Sequence, residues 1–101
     1  MKEFRYVIRD PQGMHARPAG ELVSLAKKFS SRILVTRLKD AEGNIVQKTE
    51  KSAAKITADA GKIFALMGLG IRQGEEILVQ AEGEDEKEAE EAIREFLTKN
   101  L

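Results

Sequence analysis

The apolar residues of this chain switch repeatedly between a two-residue and a 3.6-residue repeat, and that switching leaves few folds open. Phe4, Tyr6 and Ile8 alternate with Arg5 and Arg9, which predicts a strand with one buried face. Asp10–Pro11–Gln12–Gly13 follows as turn chemistry, because Pro presets its own φ and Gly tolerates positive φ. Ala19, Leu22, Val23, Ala26 and Phe29 then keep helical spacing on one face, with the helix starting near Ala16. Pro18 fits the first turn, where its missing N–H costs nothing. Arg32–Leu38 reads as a strand centred on Ile33, Leu34 and Val35, and Lys39–Asn44 as a polar turn.

The second half repeats the alternation. Ile45–Val46 can begin a return strand, Gln47–Lys55 is polar and ambiguous, and Ile56–Ala60 can rejoin the sheet. Lys62–Leu69 suits a short helix closed by Gly68 and Gly70. Arg72–Gln73–Gly74 is a turn, and Glu76–Ala81 a strand with Ile77 and Val79 on one face. Asp85 and Glu88 have capping-box spacing ahead of the last helix. There Ala89, Ala92, Ile93, Phe96 and Leu97 form a single apolar stripe. The order is βαββαβα. One-sided helices and strands must cover each other, which predicts an α+β fold with helices on one face of an antiparallel sheet. A chain of 101 residues has room for one such domain.

Charge and residue usage remove several classes of function. Lys plus Arg and Asp plus Glu both number 17, so the basic excess of a nucleic-acid binder is missing. No cysteine is present, which excludes disulfides, thiolate metal sites and cysteine nucleophiles. With a single histidine, a structural zinc site is not expected, and no metal or cofactor is. No apolar run approaches the roughly 20 residues of a membrane span. Met1–Lys2–Glu3–Phe4 has no signal-like apolar stretch, so the expected location is the cytoplasm and no membrane insertion is expected.

The one histidine stands where a turn becomes a helix, in Gly13–Met14–His15–Ala16–Arg17–Pro18–Ala19. The first N–H groups of a helix lack internal partners and carry partial positive charge, so they form an anion site. A phosphoryl group on the imidazole would meet the backbone N–H groups of Ala16 and Arg17. The Arg17 guanidinium adds a fixed cation with planar donors. A neutral imidazole has the lone pair that a nucleophile needs. A phosphorylated ring nitrogen is also a good leaving group, which suits a relay better than a permanent mark. A histidine at a helix start can equally be a plain cap or a surface residue, and position alone does not choose.

The whole string resembles the phosphorylation-site motif of the HPr family, the histidine-containing phosphocarriers of the bacterial sugar phosphotransferase system. The resemblance runs without a gap from the first strand through Phe29. It resumes at Ile63–Phe64–Ala65–Leu66–Met67–Gly68–Leu69–Gly70–Ile71 and continues through Gln73–Gly74–Glu75–Glu76–Ile77 into the last helix. It implies an open-faced β-sandwich, with four antiparallel strands covered on one side by three helices. It also implies phosphorylation of His15 through Nδ1 with help from Arg17, enzyme I as donor and enzyme IIA-type proteins as acceptors. Such a protein is a carrier acted on by enzymes, expected as a monomer, and not itself an enzyme. Ile63, Phe64 and Met67 look like the docking patch beside the histidine, with Lys27 adding charge. The alternative for these apolar residues is core packing. The expected division has Leu66 and Met67 partly inward, and Phe64 and Ile63 exposed.

Two departures separate this chain from the family's pattern. The position of the regulatory serine found in many members is taken by Lys62, after Gly61, so no hydroxyl is available there. Ser52 offers a local look-alike at the wrong spacing from Met67–Gly68–Leu69–Gly70. The stretch at about 39–55 is longer than usual and reads as a surface extension of a loop or hairpin. A partner or oligomer contact is the sharper alternative for it. A regulatory or interaction module in a non-sugar relay, working through binding at Ile63–Met67, is the alternative function. A dimeric small-ligand sensor of βαββαβ type is a further one.

Overall fold

A computed structural model describes residues 1–46 and 56–101. Four strands, β1 (Lys2–Val7), β2 (Arg32–Lys39), β3 (Thr57–Asp59) and β4 (Glu76–Glu82), form one sheet in the order β1-β4-β2-β3. All pairings are antiparallel, with Tyr6 opposite Ile77, Val35 opposite Val79 and Val35 also opposite Ala58. Three helices, α1 (Ala16–Ala26), α2 (Ile63–Met67) and α3 (Glu86–Asn100), pack on one another and on this sheet. Along β4 the alternation is literal. Ile77, Val79 and Ala81 are buried under the helices, while Leu78 and Gln80 on the open face are half-buried. The architecture is the α+β fold that the periodicities imply, in the open-faced form that the resemblance implies.

The core collects the stripes that the periodicities define. Ile33, Val35, Ile77 and Val79 of the sheet meet Leu22 of α1, Leu66 of α2 and Ile93 and Leu97 of α3. Burying one such side chain contributes about 1.5–3 kcal/mol. The strand expected through Ile8 stops at Val7. Ile8 is nonetheless buried, and its N–H and carbonyl still pair, with the Glu75 carbonyl and the Gly74 N–H. Phe29 lies beyond the end of α1 and packs half-buried against the core, so it is not part of the helical stripe.

Three further expectations are refined. Ile45–Val46 begin a return only as an isolated bridge: Ile45 pairs antiparallel with Lys39 and is largely exposed, and the Val46 N–H donates to the Leu38 carbonyl. The second helix is shorter than expected, and Gly70, at φ 65°, rather than Gly68 takes the left-handed conformation after it. Asp85 does stand at the N-cap of α3, but its carboxylate does not cap that helix. It accepts instead from the N–H groups of Ser30 and Ser31 and from the Ser31 hydroxyl. Residues 47–55 of the expected extension lie outside the described residues, Ser52 with them. The part before them closes as a turn on Asp40, whose carboxylate accepts from the N–H groups of Glu42 and Asn44.

Candidate phosphorylation site

The loop between β1 and α1 is fixed by its own backbone. Asp10 Oδ1 accepts the Gln12 N–H at 2.8 Å, and the Asp10 carbonyl accepts the Gly13 N–H at 2.9 Å. Gly13 has φ 64°, and a Cβ there would lie 2.4 Å from the Ile71 carbonyl oxygen, so only glycine fits. That carbonyl accepts the Met14 N–H at 3.0 Å, and the Met14 side chain is buried in the core. From the other side, the Leu101 carbonyl accepts the N–H groups of both Arg9 and Asp10. The loop is therefore held at both ends, by the turn before β4 and by the far end of α3.

His15 follows as the N-cap residue of α1, with extended backbone, and its carbonyl accepts the Ala19 N–H. Its ring makes no capping hydrogen bond, so the plain-cap reading fails. The side chain is 34% exposed, and Nε2 stands 3.8 Å from Asp10 Oδ2. No other described residue places a hydrogen-bonding or ion-pairing group on the ring. Ala16 and Arg17 supply the first free N–H groups of the helix, and Pro18 has none to satisfy. No acidic residue occupies the first turn of α1, so its partial positive charge is not neutralised there.

Asp10, His15, Arg17, Pro18, Glu21 and Asn100 line a cleft of ≈ 280 Å³. Arg17 is exposed, and its Nε lies 3.6 Å from Glu21 Oε1, one helical turn on. An exposed pair of this kind contributes at most about 1 kcal/mol, so the guanidinium can swing to an arriving phosphoryl group at little cost. A family profile described as "PTS HPr component phosphorylation site" matches residues 2–99.

The chain belongs to the HPr family. It is a phosphocarrier of the phosphotransferase system, as the members of that family are. The phosphocarrier protein HPr of Mycoplasma genitalium is 44% identical over 100 residues, covering 99% of this chain and 97% of its own length. A solved Mycoplasma histidine-containing phosphocarrier protein superposes with a TM-score of 0.77 at 32% identity, over 97% of this chain and 93% of that one. The solved HPr-C-His from Thermoanaerobacter tengcongensis gives a TM-score of 0.73 at 34% identity, over 97% and 92%.

The expected docking residues divide as the sequence reading has them except at Ile63. Phe64 is 88% exposed and Met67, expected partly inward, is 38% exposed, while Leu66 is fully buried. Ile63, expected exposed, is half-buried against the core and faces Gly20 of α1. The reason is rotation: a five-residue helix anchored by Leu66 turns the residues two before and one after it outward. Lys27 is exposed at the C-cap of α1, about 16 Å along the helix axis from its start. The structure thus brings Ile63 against α1 and leaves Lys27 at the end of that helix away from His15. Lys62 is the N-cap of α2 and makes no side-chain cap. Sequence reasoning missed Asp10 and Glu21 as lining residues. The Arg17–Glu21 spacing of four was a usable signal for one. The turn-forming Asp ahead of Pro11 was a weaker signal for the other.

Proposed function

We infer that His15 carries the phosphoryl group, accepting it on Nδ1 from phosphorylated enzyme I and passing it to enzyme IIA-type acceptors in phosphoenolpyruvate-dependent sugar uptake. The chain acts as one domain and as a monomer in the cytoplasm. It is a covalent substrate of the enzymes on either side, not an enzyme. The observation that carries this reading is the His15 ring itself: part-exposed, free of any capping role, and set at the positive end of α1 beside Arg17. Ala16 and Arg17 N–H groups receive the phosphoryl oxygens, and the Arg17 guanidinium closes on them. Phe64, Met67 and the edge of Ile63 form the apolar contact for both partners, with Lys27 at its margin. Lys62 leaves the head of α2 without a serine to phosphorylate.

Mixing the protein with phosphoenolpyruvate and enzyme I and recording the intact mass tests this reading. The gain of one phosphate, lost in acid and absent from His15→Ala, is expected. Arg17→Ala should slow the gain by about 100-fold, the scale for losing one preorganised donor to a developing charge. No gain under conditions that charge another HPr would refute the assignment. The exposed Phe64 also suits the interaction-module alternative, in which His15→Ala would bind its partner normally and lose no function.

A further inference from the structure

Asp10 has two oxygens with two different neighbours. Oδ1 is taken by the Gln12 N–H at 2.8 Å, which closes the turn before His15. Oδ2 is turned to the other side and stands 3.8 Å from His15 Nε2, with both side chains largely shielded from solvent. The backbone N–H of Asp10 is in turn held by the Leu101 carbonyl at 3.0 Å and its carbonyl accepts the Gly13 N–H at 2.9 Å, so the residue is fixed at three points. The charged groups lining the same cleft are Arg17 and Glu21, and these are engaged with each other. Asp10 is therefore the carboxylate that the His15 ring faces.

We propose that Asp10 is a positioning residue for the relay: its free carboxylate oxygen keeps the His15 proton on Nε2, so that Nδ1 presents the lone pair. This rests on His15 being the phosphoryl carrier. The two nitrogens of an imidazole are not equivalent, and the partner of one decides where the proton sits and hence which nitrogen is nucleophilic. A carboxylate accepts and cannot donate, so it favours N–H on the nitrogen that faces it. The gap of 3.8 Å is longer than a hydrogen bond, but such contacts are often long in the resting state and tighten in the reacting complex.

The transfer then balances without moving a proton. The Nδ1 lone pair forms the new bond to phosphorus as the bond from phosphorus to the donor breaks, its electron pair leaving on the donor. The proton stays on Nε2, and the ring becomes positive while it carries the phosphoryl group. Asp10 Oδ2 faces that charge. On handing over the group the electron pair returns to Nδ1 and the ring is neutral again.

The test separates the carboxylate from the turn. Asp10→Asn keeps an acceptor for the Gln12 N–H but points an NH₂ at Nε2, which favours the opposite tautomer. Asp10→Ser keeps a weaker turn and removes the group facing the ring. Two-bond ¹H–¹⁵N spectra of the unphosphorylated protein at about pH 8.5, where a histidine ring is neutral, report which nitrogen is protonated. The same samples are charged with enzyme I and phosphoenolpyruvate and followed by intact mass. Wild type should show Nε2–H. Asp10→Asn should shift toward Nδ1–H and slow charging on the order of 10–100-fold, the effect typical of outer partners of functional imidazoles. Asp10→Ser should fall between.

Wild type with the proton on Nδ1 overturns the proposal. So does either change in Asp10→Asn without the other, or neither. A wild type that takes no phosphate removes the carrier reading and this proposal with it. A wild type that charges normally while its tautomer ignores Asp10 removes the proposal alone.

Discussion

At the residue scale the site depends on positions that have no functional group to offer. Gly13 is one: φ 64° and the Ile71 carbonyl 2.4 Å from where a Cβ would stand leave no room for alanine. Gly13→Ala must move the Met14–Ile71 hydrogen bond and with it the start of α1. Strain of this kind costs on the order of 1–3 kcal/mol. In a domain of this size each kcal/mol lowers Tm by roughly 4–8 °C. Thermal melting should therefore show a clear fall, and charging of His15 should slow in folded protein at low temperature. His15 and Arg17 were legible because one short string carries the positions, residue types and helix start together. Asp10 was not legible as a partner of His15. Its side chain reaches the ring only because the turn at Gln12–Gly13 reverses the chain, and turn chemistry states that a reversal happens, not what it brings together.

At the element scale, the short helix and the long one show different limits of periodicity. The stripe of α3 predicted Ala89, Ala92, Ile93, Phe96 and Leu97 on the inner face; Ala89, Ile93 and Leu97 are buried, and Ala92 and Phe96 are half-buried. The five residues of α2 give barely more than one turn, too few to fix which way the helix is rotated, so Ile63, expected exposed, is half-buried against the core while Met67 is partly inward as expected. Phe64 was correctly placed outside. Phe64→Ala should leave the unfolding free energy within about 0.5 kcal/mol of wild type. It should weaken binding to the partner enzymes by about 2 kcal/mol, roughly 30-fold, in calorimetric titration. The head of α3 makes a different prediction. The Ser31 hydroxyl, and then the Ser30 N–H, hold the Asp85 carboxyl below its ordinary value. A depressed carboxyl stabilises the fold above its unfolded pKa, about 3.9, and that contribution is lost as pH falls through the lower folded value. Asp85→Asn should therefore melt lower than wild type at pH 7. The two melting curves should converge as pH falls through and below that lower folded value.

For the molecule as a whole, the sheet and the site are joined through one buried carboxylate. Glu75 sits just before β4 with its side chain only 4% exposed. It accepts from Arg37 Nη2 of β2 at 2.6 Å and from the Arg72 N–H at 2.8 Å. Its carbonyl accepts the Ile8 N–H, so the end of β1 is tied to the same residue. The neighbouring Ile71 carbonyl holds Met14, one residue from His15. Arg37 Nε is already buried with no acceptor among the described residues, so Arg37 depends on Glu75. Removing one member of a buried pair costs about 3–5 kcal/mol, because the other charge is stranded. Replacing both with apolar residues of similar volume is often neutral. Arg37 keeps some contact with solvent, which puts Glu75→Ala near the lower end, about 3 kcal/mol in urea unfolding. Arg37→Met with Glu75→Leu should recover most of the loss. Amide exchange at Met14 distinguishes local from global loosening. If the 71–75 turn carries the constraint, Glu75→Ala speeds exchange at Met14 more than at Val79 in the centre of the sheet, and the double variant does so too, since neither retains the acceptor for the Arg72 N–H. Equal acceleration at both amides would mean that Glu75 supports the fold as a whole and not the loop that carries His15.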